Sequence, residues 1–108
     1  MLQRITAVHL ERLSERQQEK LRSWWVPQEG EYILFSGQEE MIYYLSGVEK
    51  DRSLPLLTIG QMMAYMAQQG HRPTIDSTWH EWIVKMPGFE AKAAELRDAM
   101  WDAMVSML

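Results

Sequence analysis

The stretch Leu54-Pro55-Leu56-Leu57-Thr58-Ile59-Gly60-Gln61-Met62-Met63-Ala64-Tyr65-Met66-Ala67-Gln68-Gln69-Gly70 decides the architecture. A short apolar segment, residues 54–57, runs directly into a helix whose two ends and buried face are all written in its residues. The Thr58 hydroxyl can accept an amide hydrogen bond from the first helical turn, and Gln61, three positions on, completes a capping box. Ile59, Met62, Met63 and Met66 recur at i, i+3, i+4 and i+7 and so make one apolar stripe. Gly70 suits the left-handed position that ends a helix, and Pro73 blocks an early restart.

Upstream, residues 1–13 show no single period, with Ile5, Val8, Leu10 and Leu13 scattered among polar groups. Ser14 and Gln17 then form a second capping box, and Glu15 places a negative charge at the positive end of the helix dipole. Leu21, Trp24 and Trp25 supply the apolar patch of that helix, which Pro27 ends by disfavouring helical geometry at Val26. Arg12, Arg16 and Lys20 line one side of it, but Glu11, Glu15 and Glu19 run alongside at the same spacing. Stripes of alternating sign describe a solvated surface better than a basic binding strip.

Gly30 opens a predicted β-hairpin, with strands over 31–36 and 40–46 rich in β-branched and aromatic residues and Gly37-Gln38 at the turn. Tyr32 and Leu34 point opposite to Ile33 and Phe35, while Met41, Tyr43 and Leu45 point opposite to Ile42 and Tyr44. Neither face is polar, so the hairpin needs cover on both sides, from its own chain or from another molecule. Residues 47–53 read as a polar connector and 74–78 as a loop. A third strand follows over 79–86, with Trp82 and Val84 opposite Ile83, and Pro87-Gly88 stops it. Phe89, Ala93, Leu96, Met100, Ala103, Met104 and Met107 then recur at steps of three or four, which predicts a third helix over 89–107. The expected fold is α+β in one domain, 1–108, with the order α-β-β-α-β-α. In it a three-stranded antiparallel sheet, the hairpin plus one strand, packs with three helices.

Composition narrows the function classes. The 108 residues include no cysteine, which removes disulfides, thiolate metal sites and thiol catalysis together. A hydrophobic fraction of 46% with 24% charged residues is that of a folded globular chain. No apolar run reaches the ~20 residues of a membrane helix, and Gln3, Arg4 and His9 interrupt any signal-peptide core, so a cytoplasmic protein without membrane attachment is expected. The net charge of −4 argues against general affinity for nucleic acid. Nine methionines and five tryptophans read mainly as core fillers.

Catalytic and metal chemistry find little purchase. His71, His80 and Glu81 are possible ligands by type, but neighbours on a strand point to opposite faces, so His80 and Glu81 do not converge. No Gly-x-Ser-x-Gly elbow and no glycine-rich phosphate loop is present. The chain is therefore expected to be non-enzymatic, with no catalytic residue, metal or cofactor.

Leu21 to Trp25 followed by Pro27-Gln28-Glu29-Gly30, then Leu54-Pro-Leu-Leu-Thr-Ile-Gly-Gln-Met-Met63, and Glu95-Leu96 with Asp98-Ala99-Met100-Trp101, together resemble a group of small uncharacterised proteins of Gram-positive bacteria and their phages or prophages. That group has no assigned activity, so the resemblance implies a setting, a mobile-element accessory protein in the bacterial cytoplasm, and no site residues.

Two functional expectations follow from the residues. The first is a protein-interaction module, homodimerisation included, using Trp24, Trp25, Tyr43, Tyr44 and Trp82. The alternative is a small-ligand domain with an aromatic groove built from Trp79 and Trp82, with His71 or His80 as the polar handle. A DNA-binding regulator is weaker, because the hairpin separates the first two helices and neither has an uncompensated basic face.

Overall fold

In a computed structural model describing Met1–Leu108, the Thr58 capping box forms as its residues require. Thr58 N–H donates to Gln61 Oε1 at 2.9 Å, and Gln61 N–H donates to Thr58 Oγ1 at 3.1 Å. The helix spans Ile59–Gln68, and Gly70 beyond it has φ +84°. Its buried stripe is Ile59, Met62, Tyr65 and Met66; Met63, expected inside, is exposed, and Tyr65 takes the interior position. The fold is α+β, with four α-helices and two three-stranded antiparallel sheets. The chain forms two compact units, Met1–Ile5 with Leu57–Leu108, and Thr6–Leu56.

In the unit Thr6–Leu56, helix α1 (Ala7–Glu11) precedes α2 (Glu15–Trp24). The first occupies sequence that shows no period, and it starts at a local box: Thr6 N–H donates to His9 Nδ1 at 3.1 Å. The second starts at Ser14, whose Oγ accepts from Gln17 N–H at 3.1 Å while Gln17 Oε1 accepts from Ser14 N–H at 2.9 Å. Strands β1 (Tyr32–Phe35) and β2 (Gln38–Met41) form the hairpin. Its turn is Ser36-Gly37, with φ +50° and +77°, one residue earlier than expected, because a two-residue hairpin loop needs both residues in the left-handed region. The second strand ends at Met41, well short of the expected Ser46; residues 45–47 wind into a 3-10 turn.

The hairpin's third strand is β3 (Ser53–Pro55), antiparallel to β1, giving the order β2-β1-β3. The expected polar connector thus ends in a buried strand. Pairing is fixed by Leu34 opposite Leu54, and Ser53, buried, donates its hydroxyl to Glu49 O at 2.7 Å. Trp25, Ile33 and Ile42 form the centre of a core cluster flanked by Trp24, Phe35 and Val48. Full apolar cover of both hairpin faces is not seen: Tyr32 is exposed, and the Arg52 guanidinium lies 5.4 Å from the Phe35 ring centre.

In the other unit, α3 (Ile59–Gln68) precedes β4 (Thr74–Ser77), β5 (Trp82–Met86), β6 (Phe89–Ala93) and α4 (Leu96–Val105). The three strands form a meander of order β4-β5-β6. This corrects three expectations. Residues 74–77 pair as a strand, the strand expected from Trp79 begins at Trp82, and it joins this second sheet, leaving the hairpin to β3. The expected helix from Phe89 begins only at Leu96, because Pro87-Gly88, with φ +78° at Gly88, makes a two-residue turn that lays 89–93 against β5. Phe89 and Ala93, four apart, share a face in a strand as well as in a helix. Register sets Ile75, Val84 and Ala91 in line on one face, and Asp76, Ile83 and Lys92 on the other. Val84 and Ala91 are buried on the face that packs against α4, whose Leu96, Ala99, Met100, Ala103 and Met104 are all buried.

Candidate functional site

The most exposed aromatic side chains lie at one place in each unit, Tyr43 with Tyr44 in one and Trp79 in the other. In the unit Thr6–Leu56 this surface begins where Ile42 is pinned: its N–H donates to Glu31 O at 2.8 Å, and its carbonyl accepts from Gly30 N–H at 2.8 Å. With Ile42 buried, the chain leaves the sheet in extended geometry, and Tyr43, Tyr44 and Leu45 stand 71%, 74% and 48% exposed. The 3-10 turn then closes the segment, with Gly47 N–H to Tyr44 O and Val48 N–H to Leu45 O, both 3.1 Å. Beneath the two tyrosines lies an open hollow of about 200 Å³ lined by Ile33, Met41, Ile42 and Val48 as well as the rings themselves. The arrangement offers two aromatic rings with donor and acceptor hydroxyls beside a hollow of mixed polarity that Glu40 also lines, the composition favoured at recognition surfaces.

The other expected members of that surface fall elsewhere. Trp25 is 1% exposed, in the core cluster, and its Nε1 donates to Glu31 Oε1 at 3.3 Å, the same oxygen that accepts Gln28 N–H at 2.8 Å. It is placed inward because the helix ends there with Trp25 N–H bonded to Leu21 O, which turns the indole onto β1. Trp24 is half-buried against the same cluster. Trp82 belongs to the other unit, on the α4-facing side of β5, and is half-buried.

The second such place is Trp79, 98% exposed. Thr78 N–H donates to Glu81 O at 2.9 Å, and Thr78 Oγ1 accepts from Glu81 N–H and His80 N–H at 3.2 and 3.3 Å. Trp79-His80 is thus the two-residue tip of the β4–β5 hairpin, held by one threonine. The hollow beside it, about 390 Å³ and wide open, is lined by Ser77, Thr78 and Trp79. Trp82, His71 and His80 do not line it; His71 is exposed where α3 gives way to β4. No group of three His, Asp or Glu side chains converges as a metal site.

Arg12, Arg16 and Lys20 are all exposed, as are Glu11, Glu15 and Glu19. Among phenols, burial pushes the Tyr65 hydroxyl above its ordinary value. Sequence reasoning missed the contribution of Leu45, Met41 and Val48 to the tyrosine surface. The signal that would have found them is the Ser36-Gly37 turn, which sets where the strand ends. No helix is long and apolar enough to cross a membrane. The chain matches no protein-family model, and no curated protein or solved structure was found to be similar to it.

Proposed function

We propose that this chain is a non-enzymatic protein-interaction module that engages a protein partner through Tyr43, Tyr44 and Leu45. The observation that carries the reading is the run of three large side chains left in solvent immediately after a residue, Ile42, that is anchored in the core. Large aromatics displayed on a fixed backbone lose little entropy on docking and commonly carry most of an interface's energy. The resemblance of residues 21–30, 54–63 and 95–101 supplies the setting, an accessory protein of a mobile element in the cytoplasm of a Gram-positive bacterium.

The test compares tagged wild type with the double variant Tyr43→Ser/Tyr44→Ser as baits in a Gram-positive lysate, with retained proteins quantified by mass spectrometry. The expected result is a protein retained stoichiometrically by wild type and lost by a variant of unchanged circular dichroism. An identical set of retained proteins would reject the reading. A small-ligand reading is favoured by Trp79 alone, whose free ring face suits stacking on a planar or sugar ligand. Quenching of its fluorescence by a ligand panel, lost in Trp79→Ser, distinguishes it.

A further inference from the structure

Each sheet has two edges, and the four differ in how far their outward main-chain groups are already used. In the hairpin sheet, the β3 edge is closed: Arg22 Nε donates to Ser53 O at 3.1 Å, and Pro55 has no N–H to offer. The β2 edge carries adjacent acids, Glu39 and Glu40, and the Glu39 carboxylate accepts Ala7 N–H at 2.9 Å. In the meander, the β4 edge is blunted because Asp76 Oδ1 accepts Ser77 N–H at 2.8 Å. These are the familiar ways of preventing a strand edge from recruiting another strand.

On the β6 edge no side chain caps an outward main-chain group and no proline interrupts it, and its two charges, Glu90 and Lys92, are of opposite sign. Its two-residue turn makes Met86 and Phe89 a hydrogen-bonded pair, so Phe89, Ala91 and Ala93 direct their amides and carbonyls to β5. Glu90 and Lys92 direct theirs away from the sheet. We propose that this edge binds the same edge of a second copy of the chain, antiparallel and centred on Ala91, joining two three-stranded sheets into one continuous sheet.

The sequence Phe89-Glu90-Ala91-Lys92-Ala93 is self-complementary in that register. Glu90 lies opposite the second copy's Lys92 and Lys92 opposite its Glu90, the two outward-facing residues of each strand forming the hydrogen-bonded pairs. Ala91 meets its own copy on the two-fold axis, and Phe89 lies opposite Ala93, large against small. Moving the axis to Glu90 or to Lys92 would set like charges face to face, which disfavours both neighbouring registers. Within one chain Glu90 is already 3.8 Å from both Lys85 and Lys92, and all three side chains are about half exposed, so the second copy's lysine extends an existing charge ladder. Alongside the edge runs an open groove of about 460 Å³, bounded by Phe89, Ala91 and, from α4, Asp102, Val105 and Ser106. It lies at the Phe89 end of the strand, where this register places the incoming strand's Ala93. This pairing uses no residue of the Tyr43–Leu45 surface and stands or falls separately from it.

Sedimentation equilibrium of the full chain tests the proposal over a range of concentrations. Wild type should approach twice 12.7 kDa as concentration rises. Lys92→Glu and Glu90→Lys should each raise the dimer dissociation constant by at least about tenfold, since the two-fold axis converts both charge pairs at once. The double variant Glu90→Lys/Lys92→Glu, which restores opposite charges across the axis, should return the constant to within about threefold of wild type. Circular dichroism confirms that each variant is folded. A monomer up to millimolar concentration, a dimer indifferent to both single substitutions, or weakening without rescue by the double variant would overturn the proposal, as would a dimer abolished by Tyr43→Ser/Tyr44→Ser alone.

Discussion

Replacing Trp25, Tyr43 and Tyr44 by alanine one at a time separates what the core needs from what the surface displays. Trp25 is 1% exposed and clusters with Ile33 and Ile42, with Trp24, Phe35 and Val48 packed against that cluster. A buried indole removes about 150–250 Å² from water, and at about 25 cal/mol per Å² that amounts to roughly 4–6 kcal/mol as an upper bound. Truncations of this kind cost about 3–5 kcal/mol once partial collapse of the cavity is allowed. Loss of Nε1 also leaves Glu31 Oε1 with Gln28 N–H. Tyr43 and Tyr44, 71% and 74% exposed, hide less than a third of their surface, and alanine at either should cost under about 1 kcal/mol. Urea unfolding followed by circular dichroism reads all three without depending on tryptophan emission. The placement of Trp25 as core would be refuted by a loss below about 1 kcal/mol. A loss above about 2 kcal/mol at Tyr43 or Tyr44 would show that the ring is held by packing and not displayed.

Two further outcomes follow from local geometry. Ser36 holds φ +50° at the first position of a left-handed hairpin turn, so Ser36→Asn should raise stability by about 0.5–1 kcal/mol, and an unchanged urea midpoint would count against the turn assignment. Burial raises the Tyr65 phenol above 10.0, so the folded state keeps that proton longer than the unfolded chain does. Its contribution is complete below pH 10 and is lost as pH rises from there through the folded-state value, so stability should fall more steeply above pH 10 in wild type than in Tyr65→Phe; parallel curves would contradict it.

Local capping chemistry was readable from sequence because it is short-range. Thr58 with Gln61 and Ser14 with Gln17 satisfy one another across three residues, so the boxes form wherever those residues meet a helix start. The Thr6–His9 box works the same way and was missed because histidine stands where glutamate or glutamine is expected. What sequence did not carry was partner choice among strands. Residues 53–55 and 74–77 are too short and too mixed to show a period, and they become strands only because β1 and β5 present unpaired groups to them. The α-helical spacing through 89–93 was a coincidence of steps of four, overruled by a Pro-Gly turn that returns the chain onto β5. Tertiary pairing decides such segments, not intrinsic preference.

The same logic explains why the candidate surfaces were half legible. Residue type singled out Trp25 and Tyr43 alike, since both are large, aromatic and next to a second aromatic. Their fates diverge on backbone register: Trp25 closes a helix onto β1, while Tyr43 lies one residue past the last sheet hydrogen bond, made by Ile42. Register also settles the sheet edges. Whether the amides of Glu90 and Lys92 face β5 or solvent depends on the length of the turn before them, and one residue more or fewer at Pro87-Gly88 would exchange their places with Phe89, Ala91 and Ala93. In that alternative the outward groups would belong to the alanines, and the opposed charges would sit across pairs that exchange no main-chain hydrogen bonds. The two-residue turn is therefore the feature that makes the charge pattern of 89–93 a recognition element, and lengthening it by a single glycine should abolish self-association even with Glu90 and Lys92 intact.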